Sequence, residues 1–243
     1  MSGHSKWSTI KHKKGAADQK RAKIFTKLIK EITVSAQLGG LDADANPRLR
    51  SAIQNAKGMN MPKDTIDRAI SKADRDASSW AETTFEGYLP HGIAIFVECL
   101  TDNANRTFGE VRHCFTKTGG KLGVHGAVSY LYTYCSHISF SGMSEDDALE
   151  TLMMAECEVT DIESDEDIVI ITGEPGDLDH IKDALTSTGK ELVFYEDHVT
   201  YVPNDKITLS EEDLAKFDRF ISLTDDVDDI QEVYHNVELP ESH

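Results

Sequence analysis

The sequence lacks the features that define several large classes of protein. None of its hydrophobic runs approaches the roughly 20 apolar residues that a membrane-spanning helix needs. The N-terminus opens on polar and basic residues, without the apolar stretch of a signal peptide. The four cysteines include no C-x-x-C pair. We therefore expect a cytoplasmic protein that does not contact a membrane, in which the cysteines are free structural thiols and no metal is bound.

The sequence also lacks the short motifs that identify common enzymes. It has no G-x-S-x-G, H-E-x-x-H or G-x-G-x-x-G pattern. The glycine-rich stretch at residues 119–126 differs from a phosphate-binding loop, because Leu122 occupies the position of the hydroxyl residue and the predicted helix comes before the glycines. We therefore predict a non-enzymatic protein without a cofactor.

The chain contains enough apolar sequence to build stable cores. Of its 243 residues, 39% are hydrophobic and 28% are charged, which is typical of folded proteins. This length exceeds that of a common single domain, so two or three small domains are expected.

Charge is distributed very unevenly along the chain. Residues 1–75 contain 16 Lys and Arg against 7 Asp and Glu, a balance of +9. The rest contains 9 basic against 36 acidic residues, a balance of −27, so the net charge of −18 hides a basic N-terminal part. Such asymmetry indicates that the basic part has a polyanion as its partner.

The N-terminal part has the pattern of a three-helix domain, which we place at residues 1–77. A basic arm precedes a first helix capped by Asp18, and Asn46-Pro47 and Pro62 begin the second and third helices. Lysines three or four residues apart share one face of the first helix, where like charges repel each other unless a partner neutralises them. These lysines are Lys20, Lys23, Lys27 and Lys30.

Beyond the basic domain the periodicity changes from helical to mixed. Residues 84–89 and 93–100 read as a β-hairpin, followed by a helix that Asp102 or Asn103 begins. Residues 136–203 follow the order β-α-β-β-α-β of a ferredoxin-like domain. We therefore predict an α+β protein of three domains, in which this ferredoxin-like domain is inserted into an α/β domain made of residues 82–135 and 204–240.

The predicted nucleic-acid-binding residues are the cations of the basic domain together with two ring side chains. Cations that meet phosphates release counterions, and this favours binding without regard to base sequence. Trp7 and His12 could stack on exposed bases, although Trp7 could equally pack against the helices. The complete predicted set is Lys6, Trp7, Lys11, His12, Lys13, Lys14, Lys20, Arg21, Lys23, Lys27 and Lys30, with Arg48, Arg50, Lys57, Lys63 and Arg68 as flanking contacts.

Segments from nearly the whole chain match one known family. They are GHSKW at 3–7, IKHKK at 10–14, KIFTKLIKEI at 23–32, DANPRLRSAI at 44–53, NMPKDTIDRAI at 60–70, VECLTDNANRT at 97–107, EVRH at 110–113 and VYHN at 233–236. In these segments the chain resembles the YebC/PmpR family, which includes the mitochondrial translational activator of cytochrome c oxidase. The resemblance implies three domains, with the third inserted in the second, and a probable transcriptional regulator that binds DNA.

Three functions remain open on the sequence alone. The leading one is a transcriptional regulator that binds DNA through the basic domain. Several members of the family that this chain resembles act in translation. The alternative is therefore a factor associated with RNA or the ribosome, which activates translation or relieves stalling at proline-rich stretches. An adaptor whose acidic domains dock a basic protein, or make the contacts of a homodimer, is the third.

Overall fold

The computed structural model describes residues 17–73 and 80–239, and it describes side chains from residue 23 on. These residues form an α+β fold of two compact units. The first unit comprises the described residues up to Ser129 together with Ile207–Glu238, and the second comprises Tyr130–Lys206 together with Leu239. No helix in the described ranges is long and apolar enough to cross a membrane.

The described helices and strands are numbered in chain order. The helices are α1 (Ala17–Gly39), α2 (Pro47–Gly58), α3 (Lys63–Ala73), α4 (Ala104–Lys117), α5 (Glu145–Met154), α6 (Leu178–Ser187) and α7 (Glu211–Asp225). The strands are β1 (Ala81–Leu89), β2 (Ile93–Thr101), β3 (Lys121–Leu122), β4 (Tyr132–Ser141), β5 (Val159–Asp165), β6 (Ile168–Gly173), β7 (Val193–Pro203), β8 (Ile207–Thr208), β9 (Ile230–His235) and β10 (Val237–Glu238).

Helices α1, α2 and α3 enclose one apolar core, in which Ile32, Leu49 and Ala56 are completely buried. The buried Asn46 connects α1 to α2: its Oδ1 accepts a hydrogen bond from the Leu49 amide, and its Nδ2 donates to the Ser35 and Gly40 carbonyls at 2.8 and 2.9 Å. The predicted cap at Asn46-Pro47 is therefore confirmed.

The predicted cap at Asp18 is wrong. Helix α1 already includes Ala17, so Asp18 lies inside the helix. A single acidic residue near a basic run indicates a helix start only to within a few residues.

The first unit also contains an antiparallel sheet with the strand order β3-β1-β2-β9, and a separate parallel pair of β8 and β10. The predicted hairpin of β1 and β2 is confirmed, and His91 adopts a φ of 66° in its tight turn. Strand β9 lies after the inserted unit in sequence and pairs with β2. Helices α4 and α7 contribute Phe115 and Phe220, whose rings meet edge to face at 5.0 Å between centroids. Both rings are fully buried.

A buried carboxylate on β1 fixes the loop that follows β3. The side chain of Glu86 accepts hydrogen bonds from the amides of Gly126, Val128 and Ser129 at 2.7 to 2.8 Å. Burial opposes the charged form of Glu86, but these three hydrogen bonds outweigh it and lower the pKa of the carboxyl group.

The second unit has the ferredoxin-like order of elements. Strands β4, β5, β6 and β7 form one antiparallel sheet in the order β5-β6-β4-β7. Helices α5 and α6 supply the buried Leu152, Ile181 and Leu185, which pack on Ile138 and Phe140 of β4. In the sequence, the second unit lies between β3 and β9, which both belong to the sheet of the first unit. The second unit is therefore an insertion in the chain of the first, as the fold-class prediction states.

Candidate nucleic-acid interface

The predicted site residues fall into three groups in the structure. Six of them lie outside the described residues: Lys6, Trp7, Lys11, His12, Lys13 and Lys14. Lys20 and Arg21 lie in α1, where only the backbone is described. The other eight predicted residues have described side chains, and the structure places them in different surroundings.

Helix α2 carries a basic surface without any acidic residue. Arg50, Gln54 and Lys57 are all exposed, and their spacing of four and three residues puts them on one face of the helix. The Arg50 guanidinium lies 3.5 Å from the carbonyl oxygen of Asp44, and none of the described carboxylates pairs with Lys57. We call Arg50, Gln54 and Lys57 the α2 face. Its three side chains can donate hydrogen bonds to phosphate oxygens.

Two further predicted residues lie on α3. Lys63 is the first residue of α3, and it is exposed. Arg68 is also exposed, and its Nε donates to the carbonyl of Asp64 at 3.0 Å. Because α3 also exposes Asp64 and Asp67, its surface is of mixed charge. Arg68 is engaged by its own helix, whereas none of the described carboxylates pairs with Lys63, so Lys63 is the more available cation of the two.

Arg48 is already paired with two carboxylates. Its Nε lies 2.7 Å from Glu31 of α1, and it also forms an ion pair with Glu82 of β1. Burial works against its charge, but the hydrogen bonds with Glu31 and then Glu82 outweigh this and raise the pKa of the guanidinium. Arg48 therefore links the helices to the sheet of the first unit.

Two of the α1 lysines contact acidic residues between α7 and β9. Lys23 forms an ion pair with Asp226, in which the side chains are 42% and 64% exposed. The Lys30 Nζ lies 2.7 Å from the Asp229 carboxylate and also donates to the carbonyls of Leu100 and Asp228. The Lys30 side chain is only 11% exposed, so these contacts hold α1 against the sheet. A phosphate contact by either lysine remains a prediction.

Asp229 is the centre of this contact, and its side chain is 4% exposed. Besides Lys30, it accepts hydrogen bonds from Arg106 and Thr107, both at 2.7 Å. Burial disfavours the charge of Asp229, but the hydrogen bonds from Lys30, Arg106 and Thr107 prevail and lower its pKa to about 2. Asp229 could not be identified from the sequence, because nothing in its acidic surroundings distinguishes it from Asp228. Gln54 was missed because an uncharged side chain was not counted as a phosphate contact.

The second unit has the opposite electrostatic character. Residues 130–206 contain 3 Lys and Arg against 19 Asp and Glu. A surface of this composition repels a polyanion, which leaves the helical part of the first unit as the candidate interface.

Comparison with known proteins gives the family. A family model described as the TACO1/YebC protein N-terminal domain matches residues 5–76, and one described as the TACO1/YebC second and third domain matches residues 80–237. A probable transcriptional regulatory protein of Desulforapulum autotrophicum is 46% identical over 245 residues, covering 99% of this chain and 98% of that protein. Another of that name from Francisella philomiragia is 48% identical over 242 residues, covering 98% and 96%.

A solved structure agrees with these matches. The crystal structure of a conserved hypothetical protein from Aquifex aeolicus superposes with a TM-score of 0.79 at 39% identity, covering 98% of both chains. The fold, the two domain matches and the full-length relatives therefore agree that the chain belongs to the TACO1/YebC family.

Proposed function

We propose that this protein is a regulator of transcription that binds DNA through its basic helical domain, with the α2 face and Lys63 as part of the contact. The observation that carries the proposal is the acid-free exposed surface of α2 in a chain of net charge −18. The relatives' name, probable transcriptional regulatory protein, favours DNA as the nucleic acid.

The size of the α2 face suits a nucleic-acid backbone. At a rise of about 1.5 Å per residue, Arg50 and Lys57 are about 10 Å apart along the helix axis. This equals the rise of about three nucleotides of one strand in duplex DNA, at about 3.4 Å each. The two cations can therefore contact phosphates of one strand while Gln54 lies between them.

The basic segment before α1 would extend this contact. Its lysines lie outside the described residues, and their contribution rests on the sequence alone. The lysines of α1 contribute less in this proposal, because Lys23 and Lys30 are engaged by carboxylates. The proposed interface is therefore α2, the start of α3 and the N-terminal basic segment.

The test is fluorescence anisotropy with a labelled duplex, using the full chain and the triple variant Arg50→Glu, Lys57→Glu and Lys63→Glu. If each lost contact is worth about 1 kcal/mol, three of them weaken binding by at least about 100-fold. All three residues are exposed, so the fold is expected to persist, and circular dichroism would check it.

A matched control changes the same charge elsewhere in the first unit. Arg112, Lys117 and Lys121 are exposed, and substituting all three by glutamate gives the same net charge as the α2 variant. The proposal expects this control to bind nearly as tightly as the unmodified chain. Equal losses in both variants would contradict the assignment to α2. If single-stranded RNA binds more tightly than duplex DNA at the same salt, the translation alternative replaces the DNA proposal.

A further inference from the structure

Three side chains with metal-binding atoms meet in the second unit, away from the basic helices. Cys157 follows the end of α5, Asp177 ends the short 3-10 turn before α6, and His180 lies in the first turn of α6. One sulfur, oxygen or nitrogen atom from each lies within 4.8 Å of the atoms from the other two. Among the described residues, this is the one group of three or more His, Cys, Asp or Glu with such proximity.

The orientation of Asp177 sets it apart from an ordinary helix cap. An aspartate at the N-cap position normally accepts a hydrogen bond from an amide of the first helical turn. Asp177 occupies that position but makes no such bond. Its Oδ2 instead accepts from the Glu158 amide at 2.6 Å, and its Oδ1 lies 3.0 Å from His180 Nδ1. The backbone next to Cys157 thus holds the carboxylate beside the other two groups.

The donor set suits zinc better than other common ions. Thiolate, imidazole and carboxylate are all zinc ligands, whereas magnesium and calcium prefer sites made of oxygen alone. In a tetrahedral zinc site, bonds of about 2.0 to 2.3 Å put neighbouring ligand atoms about 3.3 to 3.5 Å apart. The ligand atoms of the three side chains lie at most 4.8 Å apart. To bind zinc, any two of them therefore have to approach each other by no more than about 1.5 Å.

Charge and access also fit a divalent cation. A thiolate at Cys157 and the carboxylate of Asp177 carry two negative charges, which one zinc ion balances. The side chain of His180 is 49% exposed and that of Asp177 is 18% exposed, so an ion can enter from solvent. Three protein ligands leave the fourth position of the tetrahedron for water.

We propose that Cys157, Asp177 and His180 bind one zinc ion, with water as the fourth ligand. This site is independent of the nucleic-acid interface, and it departs from our sequence-based prediction that the cysteines bind no metal. The ion joins the loop after α5 to the beginning of α6. Since these two helices cover one face of the same sheet, bound zinc stabilises the second unit.

The test measures zinc binding by the metal-stripped full chain with isothermal titration calorimetry. The proposal expects one zinc ion per chain, whose affinity falls at least about 100-fold in Cys157→Ser and in His180→Ala. Both positions are at least partly exposed, so the variants should keep the fold. His125→Ala is the matched control, because His125 is 88% exposed and lies in the other unit.

A second measurement identifies the ligand chemistry. Cobalt titrated in place of zinc should give the thiolate charge-transfer absorption of a cysteine-bound ion, and Cys157→Ser should abolish it. The other three cysteines are buried and cannot supply this signal without unfolding. No zinc binding, or zinc binding that survives both substitutions, would overturn the proposal. A preference for magnesium would overturn it as well. If no metal binds, Asp177 and His180 form only the hydrogen bond seen between them.

Discussion

Replacing Asp229 by asparagine tests how the basic helix α1 is held against the sheet. The Asp229 carboxylate accepts hydrogen bonds from Lys30, Arg106 and Thr107, which lower its pKa from 3.8 to about 2. A pKa difference of one corresponds to about 1.4 kcal/mol, so this shift contributes about 2 kcal/mol to stability. Because the folded pKa is the lower one, the contribution is complete above the unfolded value near 4 and is lost as the pH falls towards 2.

The asparagine variant is expected to lose more than this contribution alone. It leaves Lys30, 11% exposed, without its carboxylate, and breaking a buried ion pair from one side costs about 3 to 5 kcal/mol. Arg106 is 44% exposed and keeps Asp102 as a partner, so the lower end of this range applies. We expect a loss of about 3 kcal/mol in the free energy of unfolding at neutral pH.

Tryptophan fluorescence gives a local readout of this contact. The Lys30 Nζ lies 5.0 Å from the centroid of the Trp80 ring, and in a Trp7→Phe background Trp80 is the only tryptophan. Urea unfolding followed at Trp80 would compare the Trp7→Phe chain with the same chain carrying Asp229→Asn or the control Asp226→Asn. The control breaks the exposed pair with Lys23, which is worth at most about 1 kcal/mol. A cost for Asp229→Asn no larger than that of the control would refute the reasoning, as would a difference that does not shrink between pH 4 and pH 2.

Three further predictions concern the structural contacts of both units. Asn46→Ala removes a helix cap and two buried side-chain hydrogen bonds, so denaturant unfolding should show a loss of about 2 to 4 kcal/mol. Asn46→Ser, which keeps a cap acceptor without adding a charge, should lose less. Glu86→Gln should speed amide hydrogen exchange in residues 126–129 and leave β2 unchanged, and equal protection in both proteins would contradict the assigned contacts. Gly173→Ala would put a Cβ 2.8 Å from the Glu158 carbonyl oxygen, so the variant should destabilise the second unit by about 1 to 3 kcal/mol in calorimetry. An unchanged melting temperature would contradict this and show that the backbone at this position can shift freely.

Local sequence signals were sufficient to predict most of the elements. Ser144 and Ser210 cap α5 and α7, and the turn at Pro90–Gly92 joins the two strands of the predicted hairpin. The order of strands and helices in residues 136–203 was enough to predict the ferredoxin-like fold, because few topologies accommodate that order.

The contacts between elements could not be predicted in the same way. Lys23, Lys27 and Lys30 are equivalent in the helical pattern, yet Lys30 is largely buried because the loop before β9 brings Asp229 beside it. Cys157 is far from Asp177 in sequence, and their proximity depends on where α5 ends and α6 begins. Both features arise from tertiary packing, which periodicity and residue type do not determine.

The salt dependence of DNA binding shows whether the α2 face contacts the phosphates. The logarithm of the association constant falls with the logarithm of salt concentration by about 0.9 for each phosphate contact, so removing three contacts should reduce the slope by about 2.7. The measurement compares the unmodified chain, a neutral variant with Arg50→Gln, Lys57→Gln and Lys63→Gln, and a control with Gln at Arg112, Lys117 and Lys121. We expect the smaller slope for the α2 variant alone. An unchanged slope in that variant, with binding intact, would show that the α2 face does not contact the phosphates.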